Sequence, residues 1–341
     1  MYSELLGLHG QLRFDFVTSD ALANNALRDP YRRPLAIYVP PGYDPQGSRR
    51  YPVLYCLHGY TGNVAALVSS RPWETNVIQW MDRLITQRRM APAILAIVDG
   101  FTRLGGSQYV DSIHNGGYAT YTVRDVVAHI DAGYRTIPHE GGRAVFGKSS
   151  GGYGAMYLPM VHPGVFCAFA SHSGDSYFPY AHPPAFPEVH RTLEKHAWDI
   201  GAFVQHFEEQ HKRSTPELRT MEMLAYASAY SPGSAEAFDL ELPLKRDTGE
   251  LDEQVFARWL TFDPVQMCGQ KRPELARLRL RYLDCGRRDE YGLDIGARVM
   301  TKRMRDLGLD VRHEEFDDDH RNVGYRHEIS LPALMAVLES G

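Results

Sequence analysis

The stretch Gly147-Lys148-Ser149-Ser150-Gly151 carries two catalytic signatures that imply incompatible chemistry. Around Ser149 it reads G-x-S-x-G, the sharp strand-to-helix turn that lifts a nucleophilic serine above a sheet. Read back to Gly142, the string GGRAVFGKSSGG also satisfies G-x-x-x-x-G-K-S, the loop whose backbone N–H groups cradle nucleotide phosphates. Ser149 is a nucleophile under the first reading and a magnesium ligand under the second.

A phosphate loop needs an apolar strand ahead of its first glycine and four flexible residues behind it. Ahead of Gly142, residues 136–141 form a polar turn, and Arg143-Ala144-Val145-Phe146 look like the strand itself. The order is wrong for a nucleotide site built on Gly142 to Ser149. Asp99, after the apolar run Ile94 to Val98, has the place of a magnesium carboxylate, but any parallel strand ending in Asp has that form. The serine reading has its context right: Val145 and Phe146 supply the strand, and Gly147 and Gly151 flank a turn where a β-carbon would clash. Gly152, Gly154 and Ala155 then let the next helix pack close.

A serine nucleophile requires an acid and a histidine further along the chain, each in a loop after a later strand. Behind the apolar run Leu278 to Leu283 comes Asp284-Cys285-Gly286-Arg287-Arg288-Asp289-Glu290, and behind Val311 to Phe316 comes Asp317-Asp318-Asp319-His320. Among fifteen histidines, His320 has the right loop context. His313 falls inside a strand and His327 at the start of the last helix, places for packed or surface residues. Asp284, Asp289 and Glu290 all fit the acid on spacing, and Asp284 is close enough to the strand end to bond neighbouring backbone instead. The run 317–319 with His313 and His320 has metal-ligand residue types, yet it lacks ligand spacing and reads as a solvated turn. No metal and no cofactor are expected.

Attack on a carbonyl also needs donors for the oxyanion. The N–H of Ser150, at a helix N-terminus, is one. The turn Leu57-His58-Gly59-Tyr60-Thr61-Gly62 after an apolar strand supplies the other, the N–H of Tyr60.

These side chains require a sheet to hold them. Leu12, Phe14 and Phe16 alternate with polar residues, as do Leu35, Ile37 and Val39, so the chain opens with two half-buried antiparallel strands. From Tyr51 the pattern changes to short continuous apolar runs, Val53 to Leu57, Ala93 to Val98, Ala144 to Phe146, Val165 to Ala170 and Leu278 to Leu283. Helical periods lie between them, on Val77, Ile78, Met81, Leu84 and Ile85 and on Val123, Val126, Val127, Ile130 and Tyr134. The pattern predicts an α/β fold: a mostly parallel central sheet with helices on both faces. Residues 178–250 break the rhythm with Pro179, Pro183, Pro184 and Pro187, then polar helices over 190–211 and 217–230. They read as a helical insertion, a lid or pocket wall, within one domain of residues 1–341.

With 341 residues, 43% of them hydrophobic, the chain can bury a large core. A formal charge of -5 gives no basic field for nucleic acid or anionic lipid, and no apolar stretch is long enough to span a membrane. The opening residues lack a basic start followed by an apolar run, so the expectation is a soluble, cytoplasmic protein acting on a small molecule, with a homo-oligomer left open. Cys56, Cys167, Cys268 and Cys285 are widely spaced and read as buried thiols.

Five segments together resemble the esterase D-like, or putative esterase, family of α/β-hydrolases, which includes S-formylglutathione hydrolases, feruloyl esterases, enterochelin esterases and mycolyltransferases. They are YPVLYCLHGYTGN from Tyr51, IVDGFTRLGGSQYVDS from Ile97, VFGKSSGGYGAM from Val145, DCGRRDEY from Asp284 and FDDDHRNVGYRHEISLP from Phe316. The resemblance implies an α/β-hydrolase fold and a serine carboxylesterase, with Ser149 as nucleophile, Asp289 as acid, His320 as base and the N–H groups of Tyr60 and Ser150 as oxyanion hole. It also implies that Gln108 and Tyr109, in a Gly-rich loop, lie near the substrate pocket. An acyltransferase on the same fold would use the same residues, with an alcohol or thiol in place of water. Lys148 departs from the His or Tyr often found before the nucleophile, and residues 178–250 match poorly; both bear on substrate choice.

Overall fold

A computed structural model describes residues 2–339. The strands in chain order are β1 (Gln11–Thr18), β2 (Arg32–Val39), β3 (Val53–Leu57), β4 (Ile94–Val98), a short ribbon of β5 (Asp111–Ser112) and β6 (Gly116–Gly117), β7 (Arg143–Lys148), β8 (Ala168–His172), β9 (Leu280–Gly286) and β10 (Arg312–Phe316). All but the ribbon form one eight-stranded sheet in the order β1-β2-β4-β3-β7-β8-β9-β10. β2 is antiparallel to β1 and to β4, and every other neighbouring pair in it is parallel. This is the α/β-hydrolase architecture.

The continuous apolar runs follow from two covered faces. In β3 and β4, Val53, Tyr55, Leu57, Ile94, Ala96 and Val98 join one core, while Leu54, Cys56, Leu95 and Ile97 join the other. The second core is closed by the helices Val77–Thr86 and His327–Met335. The first of these starts at a capping box, in which Asn76 and Gln79 satisfy each other's backbone N–H groups. All four cysteines are buried and unpaired. Among the described residues, no helix is long and apolar enough to cross a membrane.

Several expectations are corrected. Phe14 and Phe16 are 48% and 49% exposed, because β1 is an edge strand on which Phe14 meets only the short helix Tyr2–Leu5, through the Tyr2 ring, and Phe16 lies under the Arg32 guanidinium; Leu12 and Val17 are its buried residues. β8 and β9 extend beyond their apolar runs through Ser171-His172 and Asp284-Cys285-Gly286, where Ser171, His172 and Asp284 are polar and nevertheless buried. The helix expected over 190–211 is two, Phe186–Glu194 and Ile200–Glu209, interrupted where Ala197 and Trp198 turn into positive φ (51° and 60°). A third helix, Thr215–Tyr230, starts at a capping box of Ser214 and Glu217.

Candidate active site

The strand β7 runs straight through the residues a phosphate loop would need to keep flexible. Gly142 belongs to a tight turn, Glu140–Gly142, where a β-carbon would sit 2.5 Å from the side chain of Ile137. The carboxylate of Asp99 is paired with Arg33. Nothing in this arrangement supports a nucleotide site.

At the end of β7 the chain reverses into the helix Ser150–Val161. Ser149 sits at the reversal with φ 57° and ψ -126°, a strained conformation for a residue with a side chain. Two contacts enforce it. A β-carbon on Gly151 would fall 2.1 Å from the carbonyl oxygen of Leu57, so the helix passes over β3 at a distance only glycine permits. The N–H of Ser149 donates to the carbonyl of His172 in β8 at 2.9 Å.

The two other arms arrive on the loops after β9 and β10. His320 accepts the Ser149 hydroxyl at Nε2 (3.1 Å) and donates from Nδ1 to Asp289 Oδ2 (2.8 Å). Asp289 also accepts the N–H of Tyr291 through Oδ1 at 3.0 Å. Burial raises the Asp289 pKa, but the His320 contact and these N–H donors outweigh it and hold the carboxyl below its ordinary value. Glu290 accepts the backbone N–H of His320 at 3.0 Å, and the ring of Tyr291 stands 4.8 Å from the imidazole, edge to face.

Asp284, the other acid that spacing allowed, has no contact with His320. Its carboxylate is held by His172, Arg326 and Tyr282, side chains rather than the neighbouring backbone expected for it. His327 packs against the rings of Phe146 and His172, and burial pushes its pKa down to about 3. In the acidic run, Asp317 pairs with Arg288 and Asp318 accepts the Tyr325 hydroxyl at 3.0 Å.

The turn after β3 is pinned by its own side chains. His58 donates from Nδ1 to the Gly59 carbonyl (2.9 Å) and accepts the Gly100 N–H at Nε2 (2.8 Å), a neutral ring whose pKa burial lowers. The Tyr60 hydroxyl donates to Leu104 O at 2.9 Å, and Thr61 N–H to Gly105 O at 2.9 Å. Tyr60 is thereby fixed beside Ser149, and Ser150 opens its helix with an N–H that no turn of that helix can satisfy.

A cavity of about 220 Å³ opens over Ser149 and His320, lined among others by Lys148, Asp175, His182, Glu222, Tyr226 and Tyr291. Gln108 and Tyr109 are not part of its lining; both are 2% exposed and stand one layer behind it. Gln108 donates to Asp175 Oδ2 at 3.0 Å, while the Tyr109 hydroxyl donates to His58 O at 2.9 Å and its ring fills the space beside Gly154. Their part is to support the wall.

The carboxyl of Glu222 is raised to about 7 by burial and by the neighbouring Asp175, itself raised by burial. Burial also lowers the pKa of Lys148, against the opposing pull of Asp289, Glu290 and Asp175. Sequence reasoning missed Asp175 and Glu222. Asp175 lies just past the end of β8, where a strand-end rule could have found it. Glu222, Tyr226 and Tyr230 repeat every four residues, a one-sided stripe within the poorly readable insertion.

The family model described as "Putative esterase" matches residues 30–221, more than half of the chain. Among relatives, an endo-1,4-beta-xylanase/feruloyl esterase of Xylanibacter ruminicola is 27% identical over 146 residues, 42% of this chain and 20% of that protein. An esterase of Mycobacterium tuberculosis is 29% identical over 140 residues, 40% of this chain and 28% of that one. The matches thus span less than a third of either relative's length. Among solved structures, a ferulic acid esterase superposes with a TM-score of 0.63 at 18% identity, covering 97% of this chain and 100% of the other. An S-formylglutathione hydrolase from Agrobacterium tumefaciens gives 0.60 at 15% identity, with 97% of each chain covered. At such identities the structures establish the shared fold.

Proposed function

The chain belongs to the Esterase family, and from that premise we propose that it is a serine carboxylesterase in which Ser149 forms an acyl-enzyme. The carrying observation is the unbroken line of hydrogen bonds from Ser149 Oγ through the His320 ring to Asp289, 3.1 Å and 2.8 Å, on the floor of an open cavity. In this reading His320 takes the proton from Ser149 as the oxygen attacks the ester carbonyl, and Asp289 holds the Nδ1–H tautomer and stabilises the imidazolium. The N–H groups of Tyr60 and Ser150 receive the oxyanion, with the helix dipole behind Ser150 adding to their effect. The alcohol leaves with the proton held by His320. Water, activated by the same ring, then releases the acid and frees Ser149.

The insertion 178–250 is in this reading a pocket wall. His182, Glu222 and Tyr226 come from it, and together with Asp175 and Lys148 they make the cavity polar. The substrate is a small ester whose group on that side offers hydrogen bonds.

The test is release of p-nitrophenol from p-nitrophenyl acetate by the purified protein, with acetate measured as the co-product. Turnover to acetate supports the esterase. Acetyl transfer to an added alcohol or thiol, in preference to water, would make the same triad that of an acyltransferase. Absence of turnover across short acyl esters would contradict both.

A further inference from the structure

The three arms of the triad hang on loops after β7, β9 and β10, and β10 is the sheet edge, bonded to β9 alone. An edge strand is a poor anchor for a histidine whose placement must hold to about half an ångström. Arg326 closes that loop from its far side. Its Nε donates to Asp284 Oδ2 at 2.9 Å and its Nη2 to Tyr282 OH at 3.1 Å and Glu314 Oε2 at 2.5 Å, while the guanidinium lies 4.6 Å from the centre of the Phe316 ring. One side chain therefore grips both β9 and β10.

Asp284 carries the connection inward. Its Oδ1 accepts His172 Nδ1 at 2.7 Å, and its own carbonyl accepts the Ser173 N–H at 2.8 Å. The carbonyl of His172 is the group that accepts the Ser149 N–H at 2.9 Å. A continuous array thus runs from the nucleophile's amide through His172, Asp284 and Arg326 to the segment that returns from His320. It is buried throughout, at 1% exposure for His172 and Asp284 and 7% for Arg326. His172 Nε2 also meets Ser330 Oγ at 3.0 Å, so Ser330-His172-Asp284 repeats the pattern of a catalytic triad. With Ser330 at 0% exposure, no substrate reaches it.

We infer that Asp284 and Arg326 are positioning residues for the hydrolysis: their ion pair fixes the His320 loop against the strand ends that hold Ser149 and Asp289. This rests on the serine esterase reading. A group that only supported the fold would, when removed, lower the amount of competent enzyme. A positioning group lowers the rate of enzyme that is still folded.

Reaction with a fluorophosphonate separates the two, because its amplitude counts competent sites and its rate constant reports their geometry. For Arg326→Met and Asp284→Asn we expect near-full amplitude and a rate constant lower by about tenfold or more, the scale of a sub-ångström misplacement. Arg326→Lys, which keeps a charge but cannot reach all its partners, should fall between. The kcat for p-nitrophenyl acetate should drop by the same factor with KM held within about twofold. Reduced amplitude with an unchanged rate constant overturns the inference, as does failure of all three variants to fold. Wild-type protein that takes no label at all overturns the esterase reading instead.

Discussion

The amide of Ser149 donates to the carbonyl of His172 at 2.9 Å, so the neighbouring strand holds Ser149 in its positive-φ conformation. Such a residue stores on the order of 1–3 kcal/mol of backbone strain. Glycine would release that strain, and alanine would not. Ser149→Gly is therefore expected to be more stable than Ser149→Ala, by about 1 kcal/mol, with both inactive; denaturant unfolding of the pair decides it. Equal stabilities would remove the strain from the account.

The triad prediction concerns rates. Ser149→Ala and His320→Ala should each lower kcat for ester hydrolysis by about a thousandfold or more, and combining them should add little, because the residues act as a unit. Asp289→Asn should cost a comparable factor by allowing the wrong tautomer of His320. Steady-state kinetics on variants with wild-type circular dichroism make the measurement, and an additive double variant would count against a shared step.

Gly59 closes over Ser149 from the other side. A β-carbon there would lie 3.1 Å from the carbonyl oxygen of Lys148 and 3.3 Å from Ser149 Cβ, so the turn that carries Ser149 must shift by a few tenths of an ångström to admit it. Gly59→Ala is expected to keep its fold, losing under about 2 kcal/mol, and to lose about ten- to a hundredfold in kcat/KM. Thermal unfolding and ester hydrolysis on one preparation check both halves.

Glu222 gives a pH signature. Its folded pKa of about 7 lies above the ordinary 4.5, so between those values the folded protein binds the proton more tightly than the unfolded chain does. Stability contributed by this group is present at low pH and is lost as pH rises through that window. Glu222→Gln should therefore be more stable than wild type at pH 8, by on the order of 1–3 kcal/mol, with the difference vanishing near pH 4.5. A wild-type advantage at pH 8 would contradict this reading of the wall.

The sequence was legible where chemistry coincides with strand ends. Val145-Phe146 before a glycine-flanked serine, and the strand segments that stop at Asp284 and Asp317, each announce a loop at one edge of the sheet, and the fold brings Ser149, Asp289 and His320 together there. What it did not disclose depends on packing between distant segments. Asp284 reads as a rival acid until His172, 112 residues away, and Arg326 occupy its oxygens. Gln108 sits in a motif near the site yet faces Asp175, whose own position is set by β8. The wall from 178–250 was opaque because weakly amphipathic helices do not say which face meets a cavity.

The most direct measurement is fluorophosphonate labelling followed by peptide mass mapping, on wild type, Ser149→Ala and His320→Ala. The account predicts a single adduct on Ser149, absent in Ser149→Ala and formed far more slowly in His320→Ala. No adduct, or an adduct on another serine that persists in Ser149→Ala, would contradict it.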